Sequence, residues 1–300
     1  METYTISFGE SYAHYAQAGA AGPAVVMLHG WAASLKQWEW LLPILAGAGY
    51  TAYVLDLPGH GQAPRLSQHH TIEDYLGYLR RWMETLKIQR PTLLGHSMGG
   101  YLSLRYALDY PKAVRGLILV DPLYGDHQFN PYHQLARQLL NSPKTLKIGE
   151  TLFRHVPMWL IEASHVWNRR DVGGAPAPLR RQIALDQKRA DPRIVRTLGM
   201  IQDLRPRLQQ LRLPALVMWG RHDHLLLPST FASLVELLPE AQGHCFMDVG
   251  HHPHVTHTES FVEKTLTFLK QMQDDGREAG ARPPEVNLWT PHTLALMSDR

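Results

Sequence analysis

The chain has 300 residues, 44% of them hydrophobic, with 23 Gly, 21 Pro, one Cys and a formal net charge of +3. That length buries a sizeable core, and the composition excludes a small stapled scaffold. A single cysteine, Cys245, excludes an intramolecular disulfide and argues against a cysteine-based zinc site, so a cytoplasmic location is expected.

The N-terminus has no basic segment leading into an apolar one, and no apolar run is long enough to span a bilayer. Neither secretion nor membrane insertion is predicted. Charge is unevenly spread, with net values of 0 over residues 1–121, +8 over 122–212 and −5 over 213–300.

Through residue 121, short apolar runs alternate with longer amphipathic stretches, the pattern of a mostly parallel sheet with crossover helices. A hairpin is expected around Thr3–Phe8 and Tyr12–Ala18, then a strand at Ala24–Leu28, a helix over Lys36–Ala48 and a strand at Thr51–Leu55. A helix at Ile72–Leu86, a strand at Pro91–Leu94, a helix at Met98–Leu108 and a strand at Gly116–Val120 follow. The runs VVML, TLLG and GLILV are continuous, as strands buried on both faces require.

Residues 122–212 hold helix-length stretches, a GGAPAP breaker at 173–178 and the basic surplus, but no clear buried strand. They read as an inserted helical cap. The alternation resumes with a strand at Ala215–Trp219, a helix at Ser229–Leu238, a strand at His244–Asp248 and a helix at Thr258–Met272. Residues 1–121 and 213–273 thus form one core, and 274–300 read as a flexible tail.

Gly95-His96-Ser97-Met98-Gly99 lies between an apolar run and a helix-compatible stretch. There, G-x-S-x-G makes a turn that presents the serine above the sheet, with glycines allowing close backbone approach. A serine hydroxyl needs a histidine base and a carboxylate to orient that base. Downstream, Trp219-Gly220-Arg221-His222-Asp223 and Gly250-His251-His252-Pro253 each follow a predicted strand.

With HGW at 29–31 and DLPGHG at 56–61, these motifs occur in the order of the α/β-hydrolase fold superfamily, and the chain resembles its members with a helical cap after the sixth strand. The resemblance spans about residues 3–272. It implies Ser97 as nucleophile, Asp223 as acid and His251 as base, with an oxyanion hole from the backbone N–H groups of Trp31 and Met98. Asp121 is the rival acid and His252 the rival base. Asp56 and His60 read as structural, while His29 and His96 read as loop-fixing. The histidines His222, His224, His254 and His257 raise the question of a metal, but no carboxylate–histidine spacing supports one and none is expected.

A serine at this position points to acyl transfer to water, with no cofactor, and away from relatives with an aspartate nucleophile. The layout resembles carboxylesterases, such as those acting on a pimeloyl-carrier-protein methyl ester, and equally carbon–carbon hydrolases of ring-cleavage products. A slow-turnover ligand receptor on this fold is a further alternative. Phe153, Trp159 and Trp167 are candidate substrate-binding residues. The arginines between Arg154 and Arg196 make the cap a candidate contact for an acidic substrate or acyl carrier protein. No nucleic-acid partner is expected.

Overall fold

A computed structural model describes residues 2–65, 70–130, 133–135, 142–167 and 170–275. Its eight strands are β1 (Thr3–Phe8), β2 (Ser11–Ala18), β3 (Ala24–Leu28), β4 (Thr51–Leu55), β5 (Thr92–His96), β6 (Gly116–Val120), β7 (Ala215–Gly220) and β8 (Ala241–Phe246). They form one sheet in the order β1-β2-β4-β3-β5-β6-β7-β8. The pairs β1–β2 and β2–β4 are antiparallel and the rest parallel.

Side-chain alternation divides the core into two layers, because successive strand residues point to opposite faces. Val26, Leu28, Leu93 and Leu117 pack with Trp82 of α2 (Ile72–Thr85) and Leu104 of α3 (Met98–Asp109). Val25, Met27, Leu94 and Ile118 pack on the other face. There they meet Leu45 of α1 (Leu42–Gly47) and a long C-terminal helix.

The helix expected over Lys36–Ala48 is broken into two 3-10 turns, Leu35–Gln37 and Glu39–Leu41, before α1. Pro43 sits in the first turn of α1, where its missing N–H costs nothing; farther inside a continuous helix it would remove a rung. Trp38 uses the break to turn inward, and its indole N–H donates to the Leu28 carbonyl at 3.1 Å.

Between β6 and β7 the described residues form helices and turns without a strand of the sheet. These are α4 (Pro143–His155), α5 (Met158–Trp167), α6 (Ala177–Arg189), α7 (Val195–Gly199) and α8 (Arg205–Leu208). This insertion is tied to the core by backbone and side-chain bonds. Asp191 N–H donates to the Gly59 carbonyl at 2.8 Å, and Trp31 Nε1–H to the Ile194 carbonyl at 3.2 Å.

After β7 come α9 (Ser229–Leu237), α10 (Pro253–Thr256) and α11 (Thr258–Asp275). The last strand begins and ends earlier than the apolar run around Cys245 suggests. Pairing with β7 sets its register from Ala215↔Ala241 to Gly220↔Phe246, and Met247 beyond it is exposed. The final helix runs on to Asp275, past the expected start of the tail, and residues 276–300 lie outside the described residues. Among the described residues no helix is long and apolar enough to cross a membrane.

Candidate active site

Ser97 occupies the turn between β5 and α3 with φ 52° and ψ −113°, a left-handed conformation unusual for a residue with a side chain. The surrounding structure enforces it. Ser97 N–H donates to the Val120 carbonyl at 3.0 Å, and the Ser97 carbonyl accepts from Tyr101 and Leu123, each at 3.1 Å. A Cβ on Gly95 would lie 2.3 Å from the Gly99 carbonyl oxygen, and one on Gly99 2.3 Å from that of Leu28. The two glycines are therefore demanded by close backbone approach. Ser97 is 9% exposed and opens onto a cavity of about 400 Å³.

His251 lines the same cavity. Its Nδ1 donates to Asp223 Oδ2 at 2.6 Å, which leaves Nε2 as the acceptor nitrogen. Asp223 is held by the turn after β7, where its Oδ1 accepts from the N–H groups of Leu225 at 2.8 Å and Leu226 at 3.0 Å. Burial disfavours the imidazolium of His251, but the charge of Asp223 and the hydrogen bond to it outweigh burial and raise the pKa. His96 Nε2–H donates to the His251 carbonyl at 2.8 Å, fixing the backbone of that loop.

Asp121, the rival acid, lies behind Asp223. Its Oδ1 accepts from Gly220 N–H at 2.9 Å, while Oδ2 is buried without a partner among the described residues. Burial first, then the neighbouring Asp223 charge, pushes its pKa well above the ordinary carboxylate value. One side-chain ligand atom from each of Asp121, Asp223 and His251 lies within 4.8 Å of the others, and within this group His251 Nδ1 bonds Asp223.

His252, the rival base, also faces the cavity, but its Nδ1 bonds Asp171 Oδ1 at 2.5 Å. Asp171 comes from the insertion, so two Asp–His pairs stand side by side on this wall. The site loop after β3 is equally tied down. His29 Nε2 accepts from Leu57 N–H at 3.0 Å, which puts the proton on Nδ1, 2.8 Å from the Gly30 carbonyl. Gln37 Oε1 accepts from Gly30 N–H at 2.9 Å, and the Gln37 amide reaches His254 Nε2 at 2.8 Å. Among the described residues the N–H groups of Trp31 and Met98 engage no acceptor.

Asp56 is buried beneath this loop and accepts from Leu35 N–H, Gln62 N–H and His14 Nδ1 at 2.7, 2.8 and 2.7 Å. His60 is buried nearby, its Nδ1 3.0 Å from the Pro58 carbonyl. Both serve the loop and lie off the cavity wall.

Of the expected substrate-binding aromatics, Phe153 and Trp159 do not line the cavity, and Trp159 is 68% exposed. Phe153 packs edge-on against Trp31, with ring centres 5.2 Å apart, and supports that residue from outside the cavity wall. The side chain of Trp167 lies outside the described residues.

The insertion instead lines the cavity with Leu179, Gln182, Ile183, Asp186 and Gln187 of α6, one stripe at helical spacing. Its legible signal was polar residues sharing a stripe with Leu and Ile, which a helix packed against an apolar core would not tolerate. None of the described arginines lines the cavity. Arg193 pairs with Asp191 at 2.6 Å, and Arg170 Nη1 lies 3.3 Å from His222 Nδ1.

A model of the alpha/beta hydrolase fold family matches residues 23–147. The 2-hydroxy-6-oxononadienedioate/2-hydroxy-6-oxononatrienedioate hydrolase of Paraburkholderia phymatum is 29% identical over 267 residues, covering 86% of this chain and 91% of that protein. The pimeloyl-[acyl-carrier protein] methyl ester esterase of Aeromonas hydrophila is 27% identical, over 83% of this chain and 96% of its own. The solved structure of a thermophilic esterase from Thermogutta terrifontis superposes with a TM-score of 0.73 at 22% identity, covering 91% of this chain and 99% of that one. Together with the sheet order and the serine turn after its fifth strand, these matches identify the chain as a protein of the α/β-hydrolase fold.

Proposed function

We propose that the chain is a serine hydrolase of carboxylic esters, with Ser97 as nucleophile, His251 as base and Asp223 as the acid that orients it. The observation that carries this reading is the 2.6 Å bond from His251 Nδ1 to Asp223 on the wall of the cavity that holds Ser97. Ser97 Oγ attacks the ester carbonyl carbon as His251 Nε2 takes the hydroxyl proton. The resulting oxyanion accepts from Trp31 N–H and Met98 N–H, donors worth about 3–4 kcal/mol each in such sites.

His251 returns the proton to the departing alkoxide, leaving an acyl-serine. Water then attacks the acyl carbon, His251 takes its proton, and the acid leaves as Ser97 regains its hydrogen. The chemistry needs no cofactor. The insertion acts as a cap in this reading, roofing the acyl group with α6.

The reading extends to surroundings. A cytoplasmic location accords with a fold that has a single cysteine. The basic insertion would steer an acidic partner, such as an acyl carrier protein, toward the mouth by long-range attraction.

A second reading is favoured by the relative from P. phymatum, whose name describes the hydrolysis of an unsaturated hydroxy-oxo dioate. The same triad would then serve carbon–carbon bond cleavage. Steady-state hydrolysis of p-nitrophenyl esters from acetate to long acyl chains, by wild type and Ser97→Ala, tests the first reading. Multiple turnover abolished in the variant is expected. A single stoichiometric burst, or no release at all, would favour carbon–carbon cleavage or ligand reception.

A further inference from the structure

The charged groups on the cavity wall are unequally compensated. His251 bonds Asp223 at 2.6 Å, His252 bonds Asp171 at 2.5 Å, and Lys36 bonds Glu39 at 2.7 Å. Each of these three basic groups thus has its own carboxylate. Asp186 of α6 is the converse case: a lining carboxylate, 7% exposed, that makes no ion pair among the described residues. Its two hydrogen-bond donors are neutral, Ser34 Oγ–H to Oδ2 at 2.7 Å and Gln182 Nε2–H to Oδ1 at 2.9 Å.

Two donors leave part of a carboxylate's accepting capacity unused, and burial of an ionised group without a counter-charge is costly. Burial raises Asp186 to about 6, against the hydrogen bonds from Ser34 and Gln182; the charge of Asp56 adds to the rise, and that of Arg189, which makes no ion pair with it, opposes it. Leu179 and Ile183 stand two turns and one turn before it on the same stripe, so the negative group is set in an apolar surface. In such surroundings charge interactions are screened far less than in water.

We propose that Asp186 determines specificity: the cavity accepts esters that carry an ammonium or hydroxyl group toward α6 and rejects those that carry a carboxylate there. This rests on the cavity being the ester site proposed above. The ligand supplies a paired positive charge or a further hydrogen-bond donor, and a second carboxylate beside Asp186 meets a like charge. The relative from P. phymatum is named for a dioate, and Asp186 sets this chain apart from substrates of that charge.

The test uses methyl 6-aminohexanoate, methyl 6-hydroxyhexanoate, methyl hexanoate and methyl hydrogen adipate, which differ only at the far end. Dissociation constants are measured at pH 8 by calorimetry with Ser97→Ala, so that binding is read without turnover. The aminohexanoate ester should bind at least ten-fold tighter than the adipate ester, with methyl hexanoate between them. Asp186→Asn on the same background should bring the two within about three-fold.

Should Asp186→Asn fail to fold, Ser34→Ala serves, since removing one neutral donor leaves the carboxylate more exposed to the ligand and should widen the gap. An adipate ester that binds as tightly as the aminohexanoate ester, or a preference indifferent to both substitutions, overturns the proposal. Kinetics of the same four esters with Ser97 intact are read separately. Absence of turnover there counts against the hydrolase reading and leaves the binding order to judge Asp186.

Discussion

Nδ1 of His252 lies 2.5 Å from Oδ1 of Asp171, so the residue after His251 is bound to the insertion while His251 itself is bound to the core. The preceding residue is gripped in the same way: Gly250 N–H donates to the Arg170 carbonyl at 2.5 Å. Residues 250–252 therefore form a seam between the two halves, and the placement of His251 depends on both.

That seam carries an acid-dependent contribution to stability. Burial works against ionisation of Asp171, but the charge of His252 and the hydrogen bond from it prevail and hold the carboxyl at about 2, against an ordinary 3.8. A depressed carboxylate stabilises the fold above its unfolded pKa and loses that contribution as the pH falls from about 4 to about 2. Asp171→Asn should lower stability at pH 7 by about 2 kcal/mol and flatten the pH dependence in that window. Urea melts of both proteins from pH 7 down to pH 2 check this, and parallel curves would deny the pair its role.

The two buried acids behind His251 should behave oppositely. Asp223→Asn disturbs the proton position on His251 and should cost about 10⁴ in kcat. Asp121→Asn replaces a carboxyl that burial and the Asp223 charge push toward its neutral form by an isosteric neutral amide, keeping the oxygen that accepts from Gly220 N–H, and should cost less than ten-fold in kcat. A raised carboxyl destabilises the fold as the pH climbs above its unfolded pKa, so Asp121→Asn should be at least as stable as wild type at pH 7. Ester kinetics and denaturant melts read both effects. A collapse of activity in the Asp121 variant alone would make Asp121 the orienting acid.

What could be read from the residues divides along the same seam. The bounds of β3 and β6 follow directly from their apolar runs, since strands covered on both faces are almost wholly apolar. The Ser97 turn announces itself because two close backbone approaches demand glycine at Gly95 and Gly99. Asp171 and Asp186 gave no such local signal. Their partners, His252 and Ser34, lie 81 and 152 positions away, and only the packing of the insertion joins them. Aromatic content suggested Trp159, but an aromatic side chain says nothing of which face of α5 is covered.

Acyl selectivity should consequently answer to α6 and not to α5. Leu179→Ala and Ile183→Ala enlarge a wall of the cavity and should shift the preferred p-nitrophenyl ester toward longer chains, with several-fold changes in kcat/KM. Trp159→Ala removes an exposed ring and should leave the profile within two-fold of wild type. Chain-length profiles for the three variants decide the matter, and a profile altered only by Trp159→Ala would place the acyl group against the wrong helix.

Backbone proximity at the serine turn yields the severest expected loss. An alanine Cβ at Gly99 would meet the Leu28 carbonyl oxygen at 2.3 Å, with the His29 carbonyl oxygen at 2.7 Å. Neither can retreat without moving β3 from β5, so Gly99→Ala should destabilise the protein by more than about 3 kcal/mol or prevent folding. Gly77, inside α2 with nothing within 4 Å of its would-be Cβ, is the matching control. Gly77→Ala should stabilise by about 0.5–1 kcal/mol through helix propensity. Thermal and urea melts of the pair measure both. If Gly99→Ala melted with wild type and retained activity, the turn would have slack, and the close approach of β3 to α3 would not be what holds Ser97 in its left-handed conformation.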